Sequence, residues 1–167
     1  NQRNLKRPTK NLDLVQSYSV YGAMLYTYTA ITNKILVSAT PYLIKEKSRP
    51  KDQHFVYAYH IRIKNDGETP IILQRRFWRI RHGKNKQEEI LGGEGVVGQY
   101  PQINPGEEFE YQSFCPIPSP FGSMRGHFQF IDKSSALTFR ADIPLVFLRP
   151  DQAFTPDPRP NDHNIIA

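Results

Sequence analysis

Three glycines with the spacing of a phosphate-binding loop are the first residues in this chain that could do chemistry. Gly93, Gly95 and Gly98 match the pattern G-x-G-x-x-G, which in dinucleotide-binding enzymes follows a strand and opens a helix. Residues 100–106 contain two prolines and a glycine, so no helix can begin there. The glycines therefore either form an anion-binding nest of backbone N–H groups or supply positive φ in tight turns.

Arg76 is the charged residue that could complete such an anion site. It lies in a predicted strand, and four other residues share its face by alternation: Ile72, Gln74, Trp78 and Ile80. A guanidinium beside a core tryptophan needs a carboxylate, carbonyl oxygens or an anion, because an unpaired buried charge is costly. Either Arg76 is held by an internal acid or by loop carbonyls, or it binds an anion, with the nest of the glycine loop lying near Arg76 or Arg125.

The charges are unevenly distributed along the middle of the chain. Residues 62–86 contain eight Lys or Arg and two acids, whereas residues 87–110 contain six acids and no Lys or Arg. With a net charge of +6, this favours a basic area that could follow a phosphate backbone, with Phe77 and His60 stacking on bases, or else an ordinary surface of mixed charge. The candidate nucleic-acid-binding residues are Arg62, Lys64, Arg75, Arg79 and Arg81, with Arg3, Lys6, Arg7 and Lys10 near the N-terminus.

No residue pattern supports catalysis or metal binding. The five histidines show no metal-ligand spacing, and no Ser or Cys lies in a nucleophile motif. The single cysteine, Cys115, excludes an internal disulfide and is predicted to be inert core. We therefore predict no catalytic residue, no metal and no cofactor.

The elements that must position these residues are strands. Seven segments show period-two alternation or strand composition between turn signals: Ile35–Ile44, Phe55–Lys64, Ile72–Arg81, Gln87–Leu91, Phe109–Cys115, Met124–Phe130 and Leu137–Ile143. Pro144 must lie where no ladder donor is needed. Because no long helical period or crossover helix is present, the chain is predicted to be all-β, an antiparallel sandwich.

Three linked blocks of the sequence resemble the ApaG domain family in order and spacing. They are Gly93-x-Gly95-Val96-Val97-Gly98-x-x-Pro101, Pro105-Gly106-x-x-Phe109-x-Tyr111-x-Ser113 and Gly122-x-Met124-x-Gly126. The resemblance implies a seven-stranded sandwich of the immunoglobulin and fibronectin type III kind. It implies no reaction, since the family has no established catalytic activity; bacterial members are linked to cation tolerance and eukaryotic copies belong to interaction proteins.

The resemblance extends over residues 34–150, which divides the chain into three parts. Residues 1–33 form a basic and aromatic extension, 34–150 the sandwich domain, and 151–167 a Pro-rich tail. The uncharged run 14–33 is too polar for a membrane span, and its spacing permits a short helix or a strand. The candidate partner-docking residues are Tyr18, Tyr21, Leu25, Tyr28 and, in the tail, Phe154.

These features favour a non-catalytic structural subunit of a large assembly. Basic and Pro-rich tails usually become ordered only against a partner. We expect other protein subunits as partners, with rRNA as a further candidate, no specific small molecule and no transmembrane segment. The favoured assembly is a mitochondrial ribosome, and the expected location is mitochondrial, otherwise cytoplasmic. The alternatives are a scaffold subunit of a respiratory-type complex and a small-anion (pyrophosphate or nucleotide) binder using Gly93–Gly98.

Overall fold

The computed structural model describes residues 14–20 and 23–154, and most of these residues lie in eleven strands. The strands are β1 (Leu14–Val20), β2 (Ala23–Thr32), β3 (Ile35–Ile44), β4 (Phe55–Asn65), β5 (Ile71–His82), β6 (Gln87–Glu94), β7 (Gln102–Ile103), β8 (Glu108–Ile117), β9 (Gly122–Asp132), β10 (Thr138–Leu148) and β11 (Ala153–Phe154). Two single turns of 3-10 helix, Lys45–Lys47 and Pro50–Asp52, separate β3 from β4. Within the described residues, no helix is long and apolar enough to cross a membrane.

The strands form two sheets that pack face to face. The first sheet has the order β1-β2-β3-β4-β8, with β11 beside β3, and the second has the order β10-β9-β5-β6, with β7 beside β5. All pairings are antiparallel except that of β11 with β3. The predicted antiparallel sandwich is confirmed, and all seven predicted strands are present, with β1, β2, β7 and β11 in addition.

Aromatic side chains join the two sheets at the centre of the core. The ring of Tyr59 in the first sheet lies 5.2 Å from that of Trp78 in the second. Phe128 meets Trp78 edge to face at 6.4 Å and Tyr111 at the same distance. All four side chains are at most 8% exposed, so these contacts combine a large buried apolar area with favourable ring geometry.

A β-bulge changes the phase of β5. Leu73 pairs with Phe130, but the next pair toward the C-terminus is Arg75 with Gln129, so Gln74 is the extra residue. Before the bulge Ile71 and Leu73 face the core, at 2% and 0% exposure. The prediction that Ile72 and Gln74 share a face with Arg76, Trp78 and Ile80 is therefore wrong, because the inserted residue reverses the alternation.

Pro144 lies at a second irregularity, in the edge strand β10. The pairing of β10 with β9 shifts between Ile143 and Val146, so the missing N–H of Pro144 falls where the ladder is already interrupted. The predicted placement of Pro144 away from a required donor is confirmed.

The N-terminal hairpin extends the first sheet. β1 pairs with β2 from Leu14 to Val20, and β2 continues the sheet onto β3; of the two structures permitted for this segment, the strand is the one observed. Leu25 and Tyr28 are each 6% exposed, and the Tyr28 ring packs on Phe147 at 6.1 Å. The prediction that these two residues dock on a partner is therefore wrong, because they are buried within their own domain.

Gly126 should be essential for stability because it lets β9 approach β5. A Cβ atom at this position would lie 1.8 Å from the carbonyl oxygen of Phe77, a backbone atom that cannot move aside. We expect Gly126→Ala to lower the free energy of unfolding by about 3 kcal/mol, as measured by urea denaturation followed by circular dichroism. Gly92→Ala, whose Cβ would meet its neighbours at 3.4 Å or more, is the control and should change it by under about 0.5 kcal/mol. Equal effects would contradict this account.

Candidate functional site

Arg76 holds the glycine loop onto the first half of β5. Its Nη1 donates hydrogen bonds to the carbonyl oxygens of Glu94, at 2.9 Å, and Gly95, at 2.8 Å. The N–H of Gly95 in turn donates to the carbonyl oxygen of the bulged residue Gln74 at 2.6 Å. Of the two alternatives for Arg76, attachment to loop carbonyls is the one observed.

The three glycines serve this local packing. Gly95 has φ +57°, and its Cβ would lie 2.2 Å from the carbonyl oxygen of Gln99. Gly98, with φ +74°, completes a tight turn in which Val96 and Gln99 exchange backbone hydrogen bonds. Gly93 leaves room for the Arg76 guanidinium, which lies 3.0 Å from its ideal Cβ position. The loop therefore presents carbonyl oxygens to Arg76, and its glycines supply turns and space.

The predicted anion-binding set does not come together. Arg76 points to the inner side of the second sheet, where it bonds the loop. Arg125 is exposed and pairs across the sheet with Arg79, whose alternation from Trp78 places it on the outer side. The prediction of an anion site at the glycine loop is wrong for both arginines, because Arg76 already binds the loop carbonyls and the sheet separates Arg125 from the loop.

The predicted single basic area is also divided between two faces. Arg62 and Lys64 lie on β4 in the first sheet, whereas the basic residues of β5 lie on the second sheet, and outer faces of packed sheets point in opposite directions. Most of these charges have carboxylate partners on adjacent strands or turns, as in the pairs Arg62–Glu108, Lys64–Asp66, Arg75–Glu94, Arg79–Glu88 and Arg81–Glu88. One continuous basic surface across both strands is therefore a wrong prediction.

Phe77 and His60, the predicted base-stacking residues, already have partners. The Phe77 ring stacks on His127 at 4.6 Å and lies beneath the guanidinium of Arg75 at 5.6 Å. His60 is 3.1 Å from a carboxylate oxygen of Glu110. The Phe77 ring therefore offers no bare face of the kind that base stacking uses, whereas His60 is engaged at its Nε2 by an ion-pair partner.

Several predicted residues lie at or beyond the limits of the described structure. Tyr18 is paired with Leu25 in β1, and Phe154 with Ile44 in β11. Tyr21 lies outside the described residues, as do Arg3, Lys6, Arg7 and Lys10. Their roles in docking or nucleic-acid binding stay predictions.

β6 is the most exposed of the strands whose side chains the structure describes, and one of its edges is free. β6 pairs with β5 along its whole length, and no described strand lies on its other side. Seven of its eight residues are exposed, including Ile90 at 70% and Leu91 at 48%. The backbone N–H and C=O groups on its free side thus face solvent, and an exposed apolar side chain lies on each face of the strand.

The other edge strands with described side chains are protected. β8 contains Pro116, and β10 contains Pro144 together with a register shift. Proline removes a donor and a bulge interrupts the ladder, so both features discourage further strand pairing. β6 has no proline, no lysine and no register shift. Its charged residues are three glutamates, so among the three edges it is the one most open to pairing with a basic strand.

A cavity of about 320 Å³ lies at one end of the sandwich. Its polar walls are already hydrogen-bonded: the Asn65 amide bonds the carbonyls of Thr69 and Ile103, and the Thr69 hydroxyl bonds Asp132 at 2.7 Å. That bond and the N–H groups of Ser134 and Ser135 lower the pKa of Asp132. These contacts give the polar groups a structural role in closing the turns.

Burial favours the neutral forms of one thiol and two phenols in the core. Burial raises the pKa of the Cys115 thiol to about 12, with a further contribution from Glu89. Burial also raises the pKa of Tyr59 and, more strongly, that of Tyr111, against the opposing effect of Arg76. A thiol or phenol with a raised pKa is a poor nucleophile or base at neutral pH. Among the described residues, no group of three or more His, Cys, Asp or Glu is placed to hold a metal ion.

The fold and the glycine loop define a fibronectin-like sandwich, and sequence comparison gives the family. The sequence profile of the ApaG domain matches residues 45–132. Protein ApaG of Cronobacter sakazakii is 40% identical over 112 residues, covering 67% of this chain and 88% of its own length; that of Agrobacterium fabrum is 37% identical over 121 residues, covering 72% and 92%. The chain belongs to the ApaG domain family.

A solved structure agrees with this assignment. The crystal structure of the putative ApaA protein from Bordetella pertussis has a TM-score of 0.66 and 39% identity, and the match covers 69% of this chain and 92% of that protein. The family and sandwich predictions are thus confirmed.

The predicted assembly is not supported by these relatives. They are bacterial ApaG proteins, so the prediction of a mitochondrial ribosomal subunit, and the alternative of a respiratory-type complex, are wrong. The small-anion alternative at Gly93–Gly98 fails on the geometry of Arg76 described above. The mitochondrial location stays a prediction.

Sequence reasoning missed the free edge of β6 and the pairing of Arg79 with Arg125. Ile90-Leu91 between Glu88-Glu89 and two glycines is a local signal for an exposed apolar pair. The cross-strand pair has no such signal, because it depends on the register between β5 and β9.

Arg76→Ala should destabilise the domain by about 2 kcal/mol, since two carbonyl oxygens lose a charged donor. Urea denaturation followed by the fluorescence of Trp78, the single tryptophan, measures this change. Arg75→Ala removes a guanidinium from an exposed neighbouring position with one ion pair and should cost under about 1 kcal/mol. A loss for Arg76→Ala no larger than for Arg75→Ala would show that the loop does not depend on Arg76.

Proposed function

We propose that this domain is a binding module rather than an enzyme, and that it binds an extended segment of another protein as an additional strand along β6. The observation that carries this proposal is the open edge of β6, a strand in which seven of eight residues are exposed. A strand on this edge would satisfy backbone donors and acceptors that the chain leaves to solvent, while pockets for alternate side chains give specificity.

The side chains of β6 indicate what the partner segment contains. Ile90 lies on the outer row and Leu91 on the inner row, opposite Arg79 and Trp78 respectively, so apolar residues on both faces of the added strand would find apolar neighbours. The acids Glu88, Glu89 and Glu94 surround this pair, with no Lys or Arg in β6. The matching segment therefore has consecutive apolar residues flanked by Lys or Arg.

The same charges argue against a second copy of this chain as the partner. If β6 paired with β6 of another molecule, the three carboxylates of one strand would lie next to the three carboxylates of the other. Like charges on directly opposed strands are destabilising, although Arg75, Arg79 and Arg81 offset part of this charge on the outer face. A basic segment meets no such repulsion.

Selection from a phage-displayed library of 12-residue peptides tests this proposal. We expect the selected peptides to contain β-branched or other apolar residues flanked by Lys or Arg. The double variant Ile90→Lys/Leu91→Lys should bind them at least about tenfold more weakly, which corresponds to about 1.4 kcal/mol, because lysine on an edge opposes both pairing and a basic peptide. Fluorescence polarisation with labelled peptides measures the affinities.

Leu137→Lys is the matched control, since Leu137 is 69% exposed and Ile90 70% but Leu137 lies in the turn before β10. This variant should keep wild-type affinity. The proposal is wrong if no peptide is selected, or if the selected peptides bind all three proteins alike. A concentration-dependent dimer that the double variant abolishes would instead assign β6 to self-association.

A further inference from the structure

Two arginines face each other directly on the outer side of the second sheet. Arg79 on β5 is the cross-strand partner of Arg125 on β9, and Arg81 lies two residues along β5 on the same face. Like charges in directly opposed positions are destabilising. An arrangement of this kind is stabilised when an anion lies among the guanidinium groups.

One carboxylate, Glu88, serves this whole cluster. Its two oxygens are 3.2 Å from Nε of Arg79 and 2.6 Å from Nε of Arg81. The hydrogen bond from Arg81 lowers the pKa of Glu88, and the charges of Arg79, Arg81 and Arg125 lower it further. Arg125 forms no ion pair with any residue that the structure describes. Three positive charges thus share one negative charge.

The unused donors of the cluster are accessible. Both contacts to Glu88 are made by Nε, so the terminal amino groups of Arg79 and Arg81 remain for another acceptor. The two side chains are 42% and 47% exposed, and Arg125 is exposed as well. Ser123, a hydroxyl-bearing residue, is the cross-strand partner of Arg81.

We propose that Arg79, Arg81 and Arg125 form a binding site for the phosphate group of a phosphate monoester. A monoester carries a charge near −2 and three terminal oxygens, which matches the two uncompensated positive charges and the three guanidinium groups. A carboxylate would compensate only one of those charges. This site lies on the face of the sheet and does not depend on strand addition at β6.

Apolar residues on both sides of the cluster favour an ester over free phosphate. Ile90, 70% exposed, is the cross-strand partner of Arg79 on one side. Phe147, 47% exposed, is the partner of Ser123 on the other. An organic group attached to the phosphate could pack against either side chain, whereas inorganic phosphate could not.

Titration of the ¹⁵N-labelled chain with phenyl phosphate, inorganic phosphate and benzoate tests the chemistry of the site. We expect phenyl phosphate to bind most tightly and to shift the NMR signals of the three arginine side chains and of the Ser123 amide. Arg125→Ala should weaken its binding at least fivefold. Arg140→Ala removes an exposed arginine from another part of the same face and should change the affinity less than twofold.

Two further ligands distinguish the source of the phosphate group. A short peptide containing phosphoserine represents a modified protein, and adenosine monophosphate represents a nucleotide; the one that binds more tightly identifies the class. The proposal is overturned if phenyl phosphate shifts no signals, shifts only signals elsewhere in the chain, or binds no more tightly than benzoate. It is also overturned if Arg125→Ala and Arg140→Ala change the affinity for phenyl phosphate equally. Binding of inorganic phosphate as tight as that of phenyl phosphate would overturn the role of Ile90 and Phe147.

Discussion

The bulge at Gln74 sets which side chains of β5 face the core and which face solvent. Beyond it, Trp78 points inward to meet Tyr59 at 5.2 Å, and Arg76 points inward to hold the carbonyls of Glu94 and Gly95. The same alternation places the side chain of Arg79 on the outer face of the sheet. A strand without this extra residue would place the tryptophan in water and the arginines in the core, at a large cost in desolvation.

The inward-facing side chain of Arg76 links β5 to the end of the edge strand β6. By bonding the carbonyls at the end of β6, it closes the strand into a tight loop that is anchored by Val96, fully buried in the core. β6 is therefore held on one side by β5 and at its end by Arg76. Its other side stays open, which is the arrangement that strand addition uses.

The sequence predicted most of the fold because strong alternation survives in each central strand. The bounds of β3 were predicted to the residue, and Pro144 fell at a break in the ladder, as its chemistry requires. The Gln74 bulge was not predictable, because one residue inserted between the pairs Leu73–Phe130 and Arg75–Gln129 leaves no compositional signal. For the N-terminal segment, tyrosine spacing suited helix and strand alike, and only pairing with β3 decided between them.

Surface properties were harder to predict than strands. Charges close in sequence, such as Arg62 and Arg75, separate onto opposite faces because β4 and β5 belong to different sheets. Charges distant in sequence, such as Arg79 and Arg125, meet across a ladder. A net charge along the chain therefore says little about a sandwich surface until the register is known. The second sheet carries both the open edge and the arginine cluster, so both proposed binding sites lie on it.

Amide hydrogen exchange of β6 in the free chain is the most direct test of this account. If the outer side of β6 is open in solution, those of its N–H groups that point away from β5 should exchange on the order of a thousandfold faster than the amides at the centres of β4 and β9. Uniform protection of β6, equal to that of β5, would mean that the edge is already covered and would contradict the central claim.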